Sequence, residues 1–422
     1  MASTYCKEGA FKVEKREMTE FDEVMDILKN KSAEIESVEE VGLLDAVGRV
    51  IGRDIISDYD FPPFNRSAMD GFAFRYEDVE ATENPVLKVK GSVLAGHPGD
   101  EDVKLKAGEC VRIMTGGSVP KFCDTVAEFE ICEEKNGVVK LLKIPKKFAN
   151  IAIKGEDLKK GELALKKGQL IEPKTINLAG SLGLKKIPVK RKLKIGVIST
   201  GDELVDVDEE IKDGKIRNSS KYSLGAQINA IHQEFVDLGM VKDNENEIHK
   251  AIEKGLNLDI LLITGGSSVG DKDLTLKVLN QFHADVMVKR VAMKPGKPTV
   301  IATINRDGKD VWVFGMPGNP VSTFSVFRLL VTYLVEQLLG TSGLYPTVFN
   351  GTLKFNFKKK IDRMHFVPCK VKVGDDGHLE IDRVRYNGSG DFAALSKANG
   401  FFIAPKEIEK LSEGSVVKCF FI

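Results

Sequence analysis

The feature that most constrains the fold is an alternation in residues 191–340. Short apolar runs, KIGVIS, DILLIT and VWVFGM, alternate with helical patterns such as SLGAQINAIHQEFVDLG and EIHKAIEKG. Continuous apolar runs of this length read as strands buried on both faces, and intervening helices require a mainly parallel sheet covered by them. A last helix is well marked in PGNPVSTFSVFRLLVTYLVEQLLG, where Asn319 can cap, Pro320 suits the first helical position and Gly340 can end it.

With 422 residues the chain exceeds one hydrophobic core, and its texture changes along its length. Residues 17–50 read as helical: Thr19 is placed to cap, Phe21, Val24, Met25 and Leu28 share a face, and a second short helix falls near 43–50. Residues 85–142 hold short β-like runs (VLKVKGSV, CVRIMT, TVAEFEI, GVVKLLK), an inserted small β domain, and EPKTINLAGSLGL resumes a helical part with Pro173 in its first turn. After Leu344 strand patterns return (LKFNF, FVPCKVKV, LEIDRVRY, GFFIAP, VVKCFFI). The expected class is multidomain α/β plus β. Its boundaries are 1–58 with 155–190 for a segmented N-terminal helical/β domain, 59–154 for the inserted β domain, 191–342 for the α/β domain and 343–422 for a C-terminal β domain.

Lys+Arg and Asp+Glu both number 62, so no bulk field attracts nucleic acid. Six cysteines (Cys6, Cys110, Cys123, Cys132, Cys369, Cys419) form no CxxC pair, which predicts reduced thiols and neither a zinc site nor a disulfide framework. The opening residues lack the apolar core of a signal peptide, and no stretch reads as a membrane span, so a soluble, cytoplasmic protein is expected.

In an open α/β sheet, ligands bind beyond the carboxyl ends of the strands. Three proposed strands end there in unusual loops: STGDEL (199–204), TGGSSVGDKD (264–273) and GMPGNP (315–320). The second is neither a Walker A loop nor a GxGxxG fingerprint, which disfavours an ordinary ATPase or dinucleotide enzyme. Its Gly265, Gly266 and Gly270, with Ser267 and Ser268, offer N–H and hydroxyl donors to a phosphate. Asp271 and Asp273 are the oxygen ligands Mg²⁺ prefers, while Asp273 is also placed to cap a helix beginning at Leu274. KPGKP adds Lys294 and Lys297, and Gly318 and Asn319 add donors at a helix start. Three further loops carry more chemistry than a turn needs: FPPFNRSAMDGFA around Asp70, MTGGSVP around Thr115, and NIAIKGEDL around Asp157.

Taken together and in order, FPPFNRSAMDGFA, RIMTGGSVP, NIAIKGEDL, ISTGDEL, GGSSVGDKD, VAMKPGKP, MPGNPVS and GSGDFAALSKANGF resemble the MoeA family of molybdopterin molybdenumtransferases across residues 60–405. The resemblance implies a molybdopterin adenylyltransferase-like α/β domain, a C-terminal β barrel and an elongated homodimer whose site lies between the α/β domain of one subunit and the inserted domain of the other. It implies a reaction in which adenylylated molybdopterin and molybdate yield molybdenum cofactor with Mg²⁺-dependent release of AMP. Carried over by motif, Glu203 is the main catalytic carboxylate, joined by Asp273, Asp70, Asp157 and Asp243. Thr115, Gly265, Gly266, Ser268, Lys294, Lys297, Pro317, Gly318, Asn319, Pro320 and Ser389 bind substrate, and Glu203, Asp271 and Asp273 hold the metal.

The chain departs from the family pattern at Asn218, Ser220, Ala152 and Ser267, and these departures leave substrate affinity and metal choice open. Two alternatives stand beside the transferase: a gephyrin-like dimeric scaffold without turnover, and the adenylyltransferase that acts one step earlier. Tungstate is open as a substitute for molybdate. An adenylyltransferase and an apo-molybdoenzyme are the expected protein partners, with neither nucleic acid nor membrane.

Overall fold

A computed structural model describes residues 18–96, 104–265 and 271–422, with the side chains of 271–273 left outside that description. The chain divides into two compact units. The first takes residues 1–52, 168–173 and 186–422, and the second 53–167 and 174–185.

The first unit is built on a six-stranded sheet whose order runs Glu234–Val241, Lys194–Thr200, Ile260–Thr264, Lys309–Met316, Val300–Arg306, Asp285–Val288. The first four strands are mutually parallel, Val300–Arg306 runs against them and Asp285–Val288 against Val300–Arg306, so the expected parallel sheet ends in two antiparallel pairings. Side chains alternate between its faces with the period of two that a strand imposes. Ile195, Val197, Ile260, Leu262, Trp312 and Phe314 enter one core, and Ile198, Leu261, Ile263, Val311 and Val313 enter the other. The helices Glu245–Gly255 and Asp271–Gln281 contribute to the second core.

The first core is covered by the helix Phe21–Lys31, the helix Ser219–Ala230 and the apolar stretch Pro320–Leu339. That last stretch is long and apolar enough to cross a membrane, contrary to the expectation that none would be, but 78% of its apolar 18-residue window is buried inside the protein. It contains a π-turn at Phe327–Val331 and ends on Gly340 at φ 63°, as the C-terminal glycine predicted. The C-terminal strands close into a five-stranded barrel to which Met293–Lys294 adds as a sixth strand.

Local expectations fail where tertiary pairing outcompetes helical spacing. The first helix stops at Lys31, and Val38–Gly42 pairs with Lys186–Lys190 instead of extending a helix. Thr19 does not cap; Glu20 occupies that position, while Thr19 exchanges backbone hydrogen bonds with Arg290 and Ala292. EFVDLGMV is an edge strand and not the end of the preceding helix, because its backbone completes the sheet beside Lys194–Thr200. The helix expected from Leu274 begins at Asp271.

The second unit carries a six-stranded sheet that includes Val86–Val93, Glu109–Ile113 and Thr125–Glu128, β runs read from residues 85–142, and also Gly71–Phe74, from the stretch read as a loop. Phe72 and Phe74 pack on one face, and Ala73, Val111 and Ile113 on the other. Among the described residues all cysteines are free, and Cys6 lies outside them.

At the amino-terminal edge of the first sheet, Asp259 is 5% exposed and accepts two bonds from the Arg191 guanidinium, both 2.7 Å, one from Lys309 at 2.8 Å and one from the Lys194 N–H at 2.8 Å. Burial works against its charge, yet these donors hold its carboxyl below the usual carboxylate range. Asp259→Ala leaves the cations unpaired and is expected to cost about 3 kcal/mol. In urea unfolding the midpoint should fall with an unchanged slope.

Candidate functional site

Parallel pairing aligns the ends of four neighbouring strands. Val241 registers with Thr200, Ser199 with Thr264, and Thr264 with Met316. The loops that leave this edge therefore carry, in spatial order, Asp243, Glu203, Gly265 and Pro317 to Asn319. Three of the loops were predicted to meet, and the fourth enters because EFVDLGMV is a strand.

Two glycines make the close approach possible. Gly201 has φ 150°, and a Cβ there would lie 2.6 Å from Glu203 Oε2. Gly265 has φ 114°, and a Cβ there would lie 2.0 Å from the Thr200 carbonyl oxygen. Neither position accepts a larger residue without moving backbone or carboxylate. Glu203 itself is exposed, and its carbonyl accepts the Ile216 N–H at 2.9 Å.

Asn319 does not cap its helix with its side chain. Its Nδ2 donates to Ser389 Oγ at 3.0 Å, and the Val321 N–H donates to the Ser389 carbonyl at 3.1 Å. Ser389, far along the chain, is thereby fixed at the GNP turn within the same unit. Pro320 takes the first helical position as expected.

Lys294 and Lys297 flank a turn in which the Val291 N–H reaches the Lys297 carbonyl at 3.0 Å and Thr299 Oγ1 the Gly296 carbonyl at 2.7 Å. Lys294 is exposed and opens on a cavity of about 590 Å³ shared with Lys358, Lys360, His365 and Tyr386. The sequence reading overlooked this cavity. The KKK run at 358–360 was the available signal, but its place beside Lys294 depends on the pairing of Met293–Lys294 with Met364–Val373. Lys359 is spent structurally, donating to the carbonyls of Lys406, Arg363 and Lys360 at 3.0, 3.3 and 3.4 Å. His365 Nε2 lies 3.2 Å from Asp362 Oδ1, yet burial pushes its pKa down to about 4.

In the second unit the three predicted loops are knitted by backbone bonds. The Ser67 N–H donates to the Gly117 carbonyl, Gly116 N–H to Ser67, Val119 N–H to Asn65 and Ala68 N–H to Asn150. Asp157 is exposed, and its N–H donates to the Phe61 carbonyl. Asp70 Oδ1 accepts both the Thr115 N–H at 2.6 Å and the Thr115 hydroxyl at 2.8 Å. Those two bonds hold the Asp70 carboxyl below the usual carboxylate range, so the side chain of Thr115 orients the acid.

Gly266, Ser267, Ser268 and Gly270 lie outside the described residues, as do the side chains of Asp271 and Asp273. Among the described residues no three His, Cys, Asp or Glu side chains gather closely enough to hold a metal ion, and Glu203 is the described member of the predicted magnesium set. Of the departures, Asn218 is buried and caps the helix Ser219–Ala230 by accepting the Lys221 N–H at 3.3 Å. Ala152 pairs with Arg66 in a two-stranded ladder.

Comparison with known proteins bears on the whole chain. A family model of the MoeA N-terminal region (domains I and II) matches residues 19–183, one of a probable molybdopterin binding domain matches 196–337, and one of the MoeA C-terminal region (domain IV) matches 350–421. The chain is 35% identical over 382 residues to a molybdopterin molybdenumtransferase of Haemophilus influenzae, covering 90% of this chain and 92% of that one. It is 32% identical over 413 residues to a molybdopterin molybdenumtransferase of Staphylococcus epidermidis, covering 96% of each. Its structure is similar to a crystal structure of a molybdopterin biosynthesis MoeA protein from Pyrococcus horikoshii, with TM-score 0.83, 29% identity and coverage of 96% of this chain and all of that one.

Two titrations test these environments. Thr115→Val removes one of the two bonds to Asp70 and should raise the Asp70 pKa toward its ordinary value, read from its carboxyl NMR shift against pH. His365 is neutral in the folded protein down to about pH 4, whereas in the unfolded chain it gains a proton near 6.5. The unfolded state thus binds more protons in that interval, and stability should fall as pH drops from about 6.5 to about 4. His365→Gln should flatten this limb of the stability profile.

Proposed function

Because the chain belongs to the MoeA family of molybdopterin molybdenumtransferases, we propose that it transfers molybdenum from molybdate into adenylylated molybdopterin at the strand edge that carries Glu203. The observation that carries this reading is the alignment of four parallel strands, which sets Asp243, Glu203, Gly265 and the GNP turn side by side. The Gly318 and Asn319 N–H groups lie at the positive end of a helix and suit a phosphate. Asn319 is held there by Ser389.

The exposed ammonium of Lys294, at the mouth of a cavity also lined by Lys358 and Lys360, suits a tetrahedral dianion such as molybdate, and tungstate has the same charge and shape. Lys297 adds a second cation on the same turn. Water attacks phosphorus in the adenylyl group, the phosphoanhydride bond to the molybdopterin phosphate breaks, and AMP leaves. Glu203 accepts the proton that the water gives up. Glu203, with Asp271 and Asp273, would also hold Mg²⁺ through the carboxylate oxygens that ion prefers, and the ion would offset the charge of the phosphates.

Asp70, oriented by Thr115, and Asp157 belong to the same reading as acidic groups of the second unit. A cytoplasmic homodimer completes the proposal.

Purified protein incubated with adenylylated molybdopterin, Mg²⁺ and molybdate should release AMP and reconstitute a cofactor-free molybdoenzyme. Glu203→Ala should lower the rate of AMP release about 100-fold. Lys294→Ala should raise the KM for molybdate about tenfold with a smaller change in kcat. Full AMP release by Glu203→Ala would overturn the assignment of the carboxylate, and binding of the nucleotide without turnover by the wild type would replace the transferase with a scaffold.

A further inference from the structure

In the segment that carries Glu203, Val205 is buried while Asp202 and Glu203 are exposed. Its two-residue strand Leu204–Val205 pairs only with Ile216–Arg217 among the described residues, and most of the loop between them, 206–215, is exposed. Backbone bonds from Ile216 N–H to the Glu203 carbonyl and from Asn218 N–H to the Val205 carbonyl hold the two short strands together. Toward the sheet, the Gly201 N–H donates to the Val241 carbonyl at 3.3 Å.

A side-chain clasp adds a second attachment, beyond Glu203 in the chain. Asp206 Oδ2 accepts Lys221 Nζ at 3.1 Å, and Asp206 Oδ1 accepts the Tyr222 hydroxyl at 2.8 Å. Lys221 is 9% exposed, in the first turn of the helix Ser219–Ala230, and its Nζ also lies 3.2 Å from Asp237 Oδ2 on the edge strand Glu234–Val241. One ammonium thus joins the Glu203 segment, a core helix and the sheet. A cation this shielded from water needs both carboxylates, since burial alone penalises its charge. The Tyr222 hydroxyl, the Val207 N–H and Lys221 hold the Asp206 carboxyl below the usual range, and the two carboxylates outweigh burial to raise the Lys221 pKa. Asp206 and Lys221 are both charged at neutral pH.

We propose that Lys221, acting through Asp206, is a positioning residue for Glu203. Asp206 lies three residues after Glu203, a reach of about 10 Å of extended chain, so anchoring it limits where the Glu203 carboxylate can sit. A displacement of about 1 Å at a reacting group can cost on the order of 100-fold in rate, so a clasp at this distance has a measurable effect. The inference depends on the role of Glu203 stated above, and the experiment separates the two.

AMP release is measured with adenylylated molybdopterin, Mg²⁺ and molybdate for Lys221→Met, Asp206→Asn, Lys221→Arg, Glu203→Gln and the double variant Lys221→Met with Glu203→Gln. Thermal melts of the full chain establish that each is folded. Lys221→Met and Asp206→Asn should each lower kcat roughly tenfold and leave the KM for the nucleotide within about twofold. Lys221→Arg, which keeps a cation between the two carboxylates, should recover most of the loss. In the Glu203→Gln background Lys221→Met should add nothing, because a residue that acts only by placing Glu203 has nothing left to place.

Asp206 is partly exposed, so Asp206→Asn carries the test if Lys221→Met does not fold. Wild-type kcat in Lys221→Met or Asp206→Asn beside an impaired Glu203→Gln overturns the positioning role and leaves the Glu203 assignment standing. Full activity in Glu203→Gln overturns both. Losses that multiply in the double variant also overturn the positioning role, since Lys221 would then act independently of Glu203.

Discussion

Everything at the site of the first unit depends on the register of four parallel strands. Parallel pairing sets all carboxyl ends on one edge, and the pairs Val241 with Thr200, Ser199 with Thr264 and Thr264 with Met316 put those ends level. A slip of one residue along Lys194–Thr200 would turn Ile195 and Val197 into the opposite core and carry Glu203 away from Gly265. The hydrophobic alternation that buries both faces is therefore also what aligns the chemistry. Gly265, whose position tolerates no Cβ against the Thr200 carbonyl, is the point where the two requirements meet.

Polar contacts then fix what the register cannot. Ser389 reaches back to Asn319 from more than sixty residues along the chain, an attachment that replaces the helix cap Asn319 would otherwise provide. Lys221 plays a comparable part for the short strand beside Glu203. In the second unit Thr115 presents two donors to one oxygen of Asp70, which keeps that carboxyl ionised and aimed. In each case a group with chemical potential of its own is held by a neighbour whose role is geometry.

The comparison with the sequence reading turns on locality. The strands KIGVIS, DILLIT and VWVFGM, the glycine at the end of the last core helix and the proline at its start were readable, because each depends on residues within a few positions. The loops around Asp70, Thr115 and Asp157 were readable as chemistry and are joined by backbone bonds as one cluster. The strands Val38–Gly42 and Glu234–Val241 were misread as helix, since both have apolar spacings compatible with either period and only a distant partner strand decides between them. Asn218, a departure from the family pattern, illustrates the opposite case: its side-chain oxygen caps the helix Ser219–Ala230.

What the sequence by itself determined is the alternation that dictates a covered, mainly parallel sheet, the order of the motifs that place the chain in its family, and the residue types of the loops that offer Glu203, Asp70 and Lys294 as candidate groups. Local residue type and spacing are enough for these, because strand period, turn geometry and donor type are properties of a few neighbouring residues. Only the tertiary structure decided which distant groups support them. Lys294 shares a cavity with Lys358, Lys360 and His365 because Met293–Lys294 pairs with the start of Met364–Val373, some seventy residues along the chain. The Lys221 clasp exists because helix, short strand and sheet edge converge on one ammonium whose burial makes both carboxylates necessary.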